Sequence, residues 1–399
     1  MLNLIKSVYH RFLSFIGPIL YGFPSRKLFV IGVTGTKGKT TTIELINAGL
    51  EAAGHKTAIS SSYRRKIGDK SDYKGGNTMP GRFFLQKFLR NAAKEGCKYA
   101  IIEVTSEGVA QYRHRGIDFD AAVFLNLHPE HIESHGSFEK YRAAKVRFFE
   151  DVRKYSHKDN KNFFINREDA NSKYFEEAAK GENIILYGKS DLKKQMAGEF
   201  NKLNIGAAEA VLKAVGVSRE TIEKTFLAFN GVPGRMEYVQ REPFAVVVDY
   251  AHTPDSLEAV YKTLTSGVMI DHNTENKRDL VCVLGSAGGG RDKWKRPKMG
   301  EIAAKYCREI ILTNEDPYDE DPNQILSEIK SGISNFKFQI SNLYEILDRK
   351  EAIKKAISLA KLGDAVVITG KGSEPYIHVK GGKTLPWSDK KAVEKALSS

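Results

Sequence analysis

The 399-residue sequence predicts an α/β protein built on parallel sheets, on three observations. Short apolar runs alternate with helix-patterned stretches along the chain. Most of those runs are continuously apolar rather than alternating, as strands buried on both faces of a parallel sheet are. The chain is also too long for one ordinary core, so two or three domains of about 100 to 200 residues each are expected.

The first 26 residues hold an apolar stretch from Phe12 to Phe23, shorter than the ~20 residues a bilayer-spanning helix needs. It runs without a small-residue cleavage site into the first strand, so export is not expected. Lys6, His10, Arg11, Arg26 and Lys27 surround it, which suits contact with a membrane surface, although packing on its own protein is the commoner role. The run Lys27-Leu-Phe-Val-Ile-Gly-Val33 reads as the first strand and Thr40 to Ala53, closed by Gly54, as the first helix. Further strands are expected at Tyr99 to Val104, Ala121 to Leu127, Ala245 to Asp249, Leu280 to Leu284, Glu309 to Thr313 and Ala365 to Thr369. Helical stretches Leu203 to Val215 and Ser218 to Phe229 lead into the turn Gly231-Val-Pro-Gly234, where a fresh strand and helix series begins. A boundary there divides the chain into an extension, 1–26, and two domains, 27–233 and 234–399. The polar run Asp271 to Asp279 reads as an exposed loop, and no repeat or low-complexity tract is present.

Composition narrows the class. With 41% hydrophobic and 28% charged residues the chain is globular. Sixty-two basic against 49 acidic side chains give a net charge of +13, which favours anionic substrates. No stretch interleaves Lys or Arg with aromatics as nucleic-acid modules do, so nucleic acid is not an expected partner. Cys97, Cys282 and Cys307 are too few and too scattered for a disulfide framework or a metal cage, and a reducing, cytoplasmic interior is expected.

The strongest chemical signal is Thr34-Gly-Thr-Lys-Gly-Lys-Thr-Thr41 between the first strand and the first helix. Backbone N–H groups and a helix N-terminus there face a phosphate. Lys39 would neutralise the β- and γ-phosphates of a nucleotide, and Thr40 would ligate Mg²⁺. The strict pattern asks for glycine at position 33, which is Val33, so the loop is a variant. A glycine-rich turn without a ligand is the bland alternative.

Further blocks follow in order: Phe124-Leu-Asn-Leu-His-Pro-Glu-His-Ile-Glu-Ser-His-Gly-Ser137, Tyr141-Arg-Ala-Ala-Lys145, Gly234-Arg-Met-Glu237, Asp249-Tyr-Ala-His-Thr-Pro-Asp255, Gly285 to Arg296 and Gly370-Lys-Gly-Ser-Glu374. Together with the phosphate loop they resemble the Mur ligase family over roughly residues 28 to 395, most closely its UDP-N-acetylmuramoyl-tripeptide synthetases. The resemblance implies a central P-loop ATPase-like domain, a Rossmann-like C-terminal domain, and an active site between them. It implies peptidoglycan precursor synthesis: ATP phosphorylates the acceptor's carboxylate, an amino acid attacks the acyl phosphate, and ADP and phosphate leave. Such chemistry is mostly positioning and charge neutralisation.

Site residues follow from the same resemblance. Nucleotide contacts fall on Gly35, Thr36, Lys37, Gly38, Lys39, Thr40, Thr41, Arg235, Asp249, His252, Lys295 and Arg296. Glu103, at the end of a buried strand, and His131 match metal ligands, and Lys145 matches a lysine that is carbamylated so as to help hold a second Mg²⁺. From spacing alone Lys145 is a surface helix lysine, His131 a structural or simply exposed histidine and Glu103 an exposed strand end. Thr78, Thr105, Ser106, Arg291, Asp316, Gly370 and Glu374 match substrate contacts, with Arg291 taking the amino acid's carboxylate and Glu374 its ammonium.

Four departures matter. The first strand starts by Lys27, so the family's N-terminal UDP-binding domain is not expected. The acceptor is then recognised differently, is lipid-linked, or is bound with a partner subunit. Glu315-Asp-Pro-Tyr318 stands where diaminopimelate-adding relatives carry Asp-Asn-Pro-Arg, and Tyr318 cannot make the ion pair of that arginine, which leaves lysine or another amino acid open. Thr105-Ser-Glu107 replaces Ser-Ser-His. Glu130 replaces Asp and keeps a carboxylate. A folylpolyglutamate synthase is the alternative enzyme, but that group reads Gly-Thr-Asn-Gly-Lys-Gly at the loop. A non-catalytic nucleotide-binding protein is the alternative outside enzymes.

Overall fold

The computed structural model describes residues 16–73, 78–192, 196–266, 278–334 and 342–398. The chain divides into two compact units. The first comprises Met1–Pro129, His135–Gln195 and Phe200–Phe229, and the second Glu130–Ser134, Met196–Glu199 and Asn230–Ser399. Each is an α/β unit, as the apolar runs predict.

The first unit is organised by eight strands: β1 (Phe29–Thr34), β2 (Thr57–Ser60), β3 (Arg65–Ile67), β4 (Lys70–Asp72), β5 (Tyr99–Glu103), β6 (Ala121–Phe124), β7 (Asn162–Asn166) and β8 (Asn183–Tyr187). They lie in the order β4-β3-β2-β5-β1-β6-β7-β8. Pairing is parallel from β2 to β8, and β3 and β4 add an antiparallel hairpin at one edge. The register sets Val33 beside Glu103 and Val123, so the ends of β1, β5 and β6 open at one level. Open parallel sheets bind ligands at that carboxyl end. Val30, Ile102, Phe119, Phe124, Phe148, Phe149 and Phe163 fill the core beneath it.

The second unit carries β9 (Glu237–Gln240), β10 (Ala245–Val248), β11 (Leu280–Leu284), β12 (Cys307–Leu312), β13 (Asn342–Glu345) and β14 (Ala365–Ile368), in the order β13-β12-β11-β14-β10-β9. All pair in parallel except β9. A hairpin of β15 (Tyr376–Val379) and β16 (Lys383–Pro386) stands apart from this sheet. The apolar runs of β10, β11, β12 and β14 form its core with Ala352, Ile353 and Val393.

The elements that apolar runs do not announce are short, polar or at edges. Lys70–Asp72 is a charged, exposed edge strand, Arg65–Ile67 beside it buries Lys66 against Glu51, and Asn342–Glu345 is half exposed. One expectation is corrected outright. Cys282 and Cys307 form a disulfide with Cα atoms 6.0 Å apart, joining β11 to β12, while Cys97 is free and buried. Scatter along the chain hid the pair because neighbouring parallel strands bring together residues 25 positions apart. Residues 1–15, which hold most of the segment 1–26, and 271–277 of the polar run lie outside the described residues. Among the described residues no helix is long and apolar enough to cross a membrane.

Candidate active site

In the first unit the chain leaves β1 at Thr34, makes a loop, and enters the helix Lys39–Ala52. Gly38 caps that helix at φ 83, and a Cβ there would collide with the side-chain oxygen of Asn204, so only glycine serves. Two segments hold the loop in shape. Asn126 accepts from Lys37 N at 2.9 Å and donates to Lys37 O at 3.1 Å. Thr36 donates its N–H to Asn126 O at 2.9 Å, and its hydroxyl lies 3.0 Å from Tyr141 Oη. His128 N donates to the same Thr36 hydroxyl at 3.0 Å. A loop fixed on both sides keeps its N–H groups aimed without further ordering.

The reactive side chains converge on this loop. Lys39 Nζ donates to Gly35 O and Thr36 O, each at 2.9 Å, and stands 3.9 Å from Glu103 Oε1. Glu103, 3% exposed, accepts from Ser62 N at 2.8 Å through its other oxygen. Ser62 Oγ lies 3.0 Å from Thr40 Oγ1. Thr40, Ser62 and Glu103 thus gather hard oxygen donors beside the loop, the donor type Mg²⁺ takes.

Lys145 is 2% exposed, which settles its position against the surface reading. It projects from the helix Phe138–Tyr155, whose first turn is capped by Ser137, and donates to Gly35 O at 2.8 Å with its ammonium 5.0 Å from the Tyr141 ring. Spacing suggested a solvated helix face; tertiary packing turns this one lysine inward.

Close by, Thr105 caps the helix Ser106–Ala110 by accepting from Gly108 N at 3.0 Å, and Ser106 Oγ is 3.1 Å from His135 Nε2. Thr78 is half-buried and leads into buried Met79. Arg113 donates to Met79 O and to Gln111 Oε1, at 2.7 Å in the latter case, and Arg82 donates to Gln111 O at 2.6 Å. Arg113 thus brings positive charge to the residue after Thr78, and Arg82 meets the same Gln111, a feature sequence reading missed because isolated arginines are usually surface charges.

His131 has φ 56 and lies in the segment Glu130–Ser134, which groups with the second unit rather than with the domain drawn around it from sequence. Within that unit Glu130 Oε1 is 3.1 Å from His252 Nε2, and His252 O accepts from Lys295 Nζ at 2.9 Å. Asp249 accepts from Met236 N and Ala251 N, both at 2.7 Å, and so braces the turn that carries Arg235. The guanidinium of Arg235 lies 4.0 Å over the Tyr250 ring, and its buried Nη1 has no hydrogen-bond partner. Such an atom suits an incoming anion.

Arg296 is fully buried, and its guanidinium donates to Glu328 at 2.7 Å, Glu320 at 3.0 Å and Ala287 O at 3.1 Å. These partners make it the centre of a packed ion-pair cluster.

A second cluster surrounds Lys371, which is 0% exposed. Its ammonium lies 2.8 Å from both Asp316 oxygens and 2.6 Å from Glu374 Oε2. Burial opposes the charge, but Glu374 and Asp316 outweigh it and hold the lysine above its ordinary pKa. Glu374 Oε1 accepts from Tyr250 Oη at 2.9 Å, so this carboxylate is held from two sides. Gly370, at φ 106, lets the chain pass against Glu315. Arg291 is exposed and stands 3.4 Å from Tyr318 Oη. Lys371 lay within a segment singled out from sequence, yet its burial gave no signal there, since lysine is ordinarily exposed.

Comparison with known proteins agrees with this architecture. Residues 33–224 match the Mur ligase middle domain and residues 234–372 the Mur ligase, glutamate ligase domain. The UDP-N-acetylmuramoyl-L-alanyl-D-glutamate–2,6-diaminopimelate ligase of Geobacillus kaustophilus (strain HTA426) is 35% identical over 417 residues, covering 97% of this chain and 82% of the relative. Its namesake in Aquifex aeolicus (strain VF5) is 36% identical over 403 residues, covering 94% and 79%. A solved structure of a ligase of that name superposes with a TM-score of 0.61 at 30% identity, covering 93% of this chain and 78% of that one. A folylpolyglutamate synthase from Mycobacterium tuberculosis, complexed with ADP and AMPPCP, gives 0.69 at 16% identity over 92% and 96%, a likeness of fold alone. With both family domains matched in order and relatives above 30% identity along nearly its whole length, the chain belongs to the Mur ligase family.

Proposed function

We propose that this protein is an ATP-dependent, ADP-forming ligase that joins an amino acid to the terminal carboxylate of a muramoyl-peptide in peptidoglycan precursor synthesis. The observation that carries this reading is the convergence of Lys39, Thr40, Glu103 and Lys145 on one rigid phosphate loop. Bringing a carboxylate toward a triphosphate sets like charges together, and the site meets that repulsion with cations and oriented N–H groups. Lys39 and the loop would hold the β- and γ-phosphates. Thr40 and Glu103 would hold Mg²⁺, carbamylated Lys145 would help hold a second ion, His131 is a further candidate metal ligand, and bound Mg²⁺ would neutralise phosphate charge. Arg82 and Arg113 offer cations to an anionic acceptor beside Thr78, Thr105 and Ser106. Arg291 and Glu374 would hold the amino acid by its carboxylate and ammonium, and Lys371 keeps Glu374 aimed. The acceptor's carboxylate takes the γ-phosphoryl group, the amine attacks the resulting acyl phosphate, and the tetrahedral intermediate collapses to amide and phosphate. The place of action in this reading is the cytoplasm, where ATP is available.

Phosphate release with MgATP and UDP-N-acetylmuramoyl dipeptide, screened across single amino acids with Lys39→Ala as control, tests the proposal. Release that needs both acceptor and amino acid, and is lost in the variant, supports it. Release with folate and glutamate instead would move the chain to the folylpolyglutamate reaction, and ATP turnover that needs neither substrate would point to a switch.

A further inference from the structure

The cluster that holds Glu374 is built from two loops whose strands are not neighbours in the sheet. One loop follows β12 and carries Asp316; the other follows β14 and carries Lys371 and Glu374. β11 lies between those strands. The Arg349 guanidinium spans the gap, donating to Asn314 O at 3.3 Å through Nη1 and to Thr369 O at 2.8 Å through Nη2. Those carbonyls stand two residues before Asp316 and Lys371. The guanidinium therefore ties the loops at their base, and the Lys371–Asp316 pair ties them two residues further on.

Asp389 completes the arrangement. It accepts from Nε and Nη2 of Arg349 at 2.7 and 2.8 Å, and the two side chains are 1% and 0% exposed. The Trp387 indole N–H donates to the same carboxylate at 2.7 Å, and Trp387 N donates to Pro375 O at 2.9 Å. The segment Gly370–Glu374 is thus fastened to one buried ion pair from both ends, at Thr369 by Arg349 and at Pro375 by way of Trp387. Each partner opens a helix, Arg349–Leu359 and Asp389–Leu397, and Ala352, Ile353 and Val393 pack those helices into the core.

We propose that Arg349, backed by Asp389, is a positioning residue for the incoming amino acid, setting the spacing of the two loops so that Glu374 meets the ammonium. This rests on the reading above that Glu374 holds that group. A buried ion pair adds little net stability over apolar side chains of like volume. What apolar side chains cannot supply is a planar fork that binds a carboxylate and two carbonyls at once. Lysine keeps the charge and loses the fork, which separates the two roles.

The experiment measures kcat and the KM of each substrate for the wild type, Arg349→Lys and Trp387→Phe. The substrates are MgATP, UDP-N-acetylmuramoyl dipeptide and whichever of L-lysine and meso-diaminopimelate the wild type uses better. Far-UV circular dichroism at the assay temperature checks folding. Arg349→Lys raises KM for the amino acid on the order of tenfold, the size one charge-assisted hydrogen bond carries, with kcat and KM for ATP within about twofold. Trp387→Phe removes only the indole N–H and raises the same KM by about threefold. A purely structural role gives another pattern, in which fewer folded molecules lower kcat and leave each KM where it was. That pattern, or a KM for ATP that rises as far as the amino acid's, overturns the proposal while the ligase reading stands. If Arg349→Lys does not fold, Trp387→Phe decides, and an unchanged amino-acid KM there overturns the proposal. Failure of the wild type to ligate any amino acid overturns the ligase reading and this inference with it.

Discussion

Replacing Lys371 by methionine tests the second cluster most sharply, because shape is nearly kept while a buried cation is removed. At 2.8 Å and an effective dielectric of about 20, the Lys371–Asp316 attraction is about 6 kcal/mol before desolvation is counted. Removing one partner of a buried pair leaves the other charge uncompensated and costs about 3 to 5 kcal/mol. The Glu374 interaction is given no share of that figure, since its side chain is 40% exposed and screened. Urea unfolding followed by far-UV circular dichroism is the assay. With a slope of about 2 kcal/mol per molar, the midpoint for the second unit falls by roughly 2 M. A companion Asp316→Asn removes the charge that Lys371→Met strands, so the double variant is less destabilised than the two single changes added together. In the ligase assay Glu374 keeps only its Tyr250 tether, so KM for the amino acid rises while KM for ATP stays. A loss below about 1 kcal/mol, or simple additivity in the double variant, would refute the reasoning.

Three further outcomes follow from the first unit. Asn126→Ala removes both hydrogen bonds that clamp Lys37 and leaves the loop's peptide groups unpaired, so stability drops by about 1 to 3 kcal/mol and ATP binding weakens, as calorimetry would measure. Lys145→Gln keeps a donor for Gly35 O but cannot become a carbamate; turnover is expected to fall about a hundredfold or more with the melting temperature nearly kept, and full turnover would exclude the carbamate role. Burial of His114, only partly offset by Asp151, lowers its pKa from 6.5. The unfolded chain then binds the extra proton first as pH falls, so the His114 contribution is whole above pH 6.5 and is lost below it. Unfolding midpoints measured from pH 8 to 5 should fall more steeply in the wild type than in His114→Gln, and equal slopes would count against this account.

What the sequence alone determined was the fold class and the place of the phosphate loop. Continuous apolar runs such as Val281–Leu284 suit strands covered on both faces, as in a parallel sheet, and a glycine-rich turn between strand and helix suits a phosphate. Both signals are local, written in neighbouring residues. Tertiary structure decided what depends on residues far apart. It turned Lys145 inward onto Gly35 O across 110 positions and buried Lys371 between Asp316 and Glu374. It also enclosed Arg296 in a carboxylate cluster and paired Cys282 with Cys307. A lysine or arginine reads in sequence as a surface charge because burial is costly. The partners that offset that cost, Asp316 for Lys371 and Glu320 for Arg296, come from segments that only the folded chain brings together.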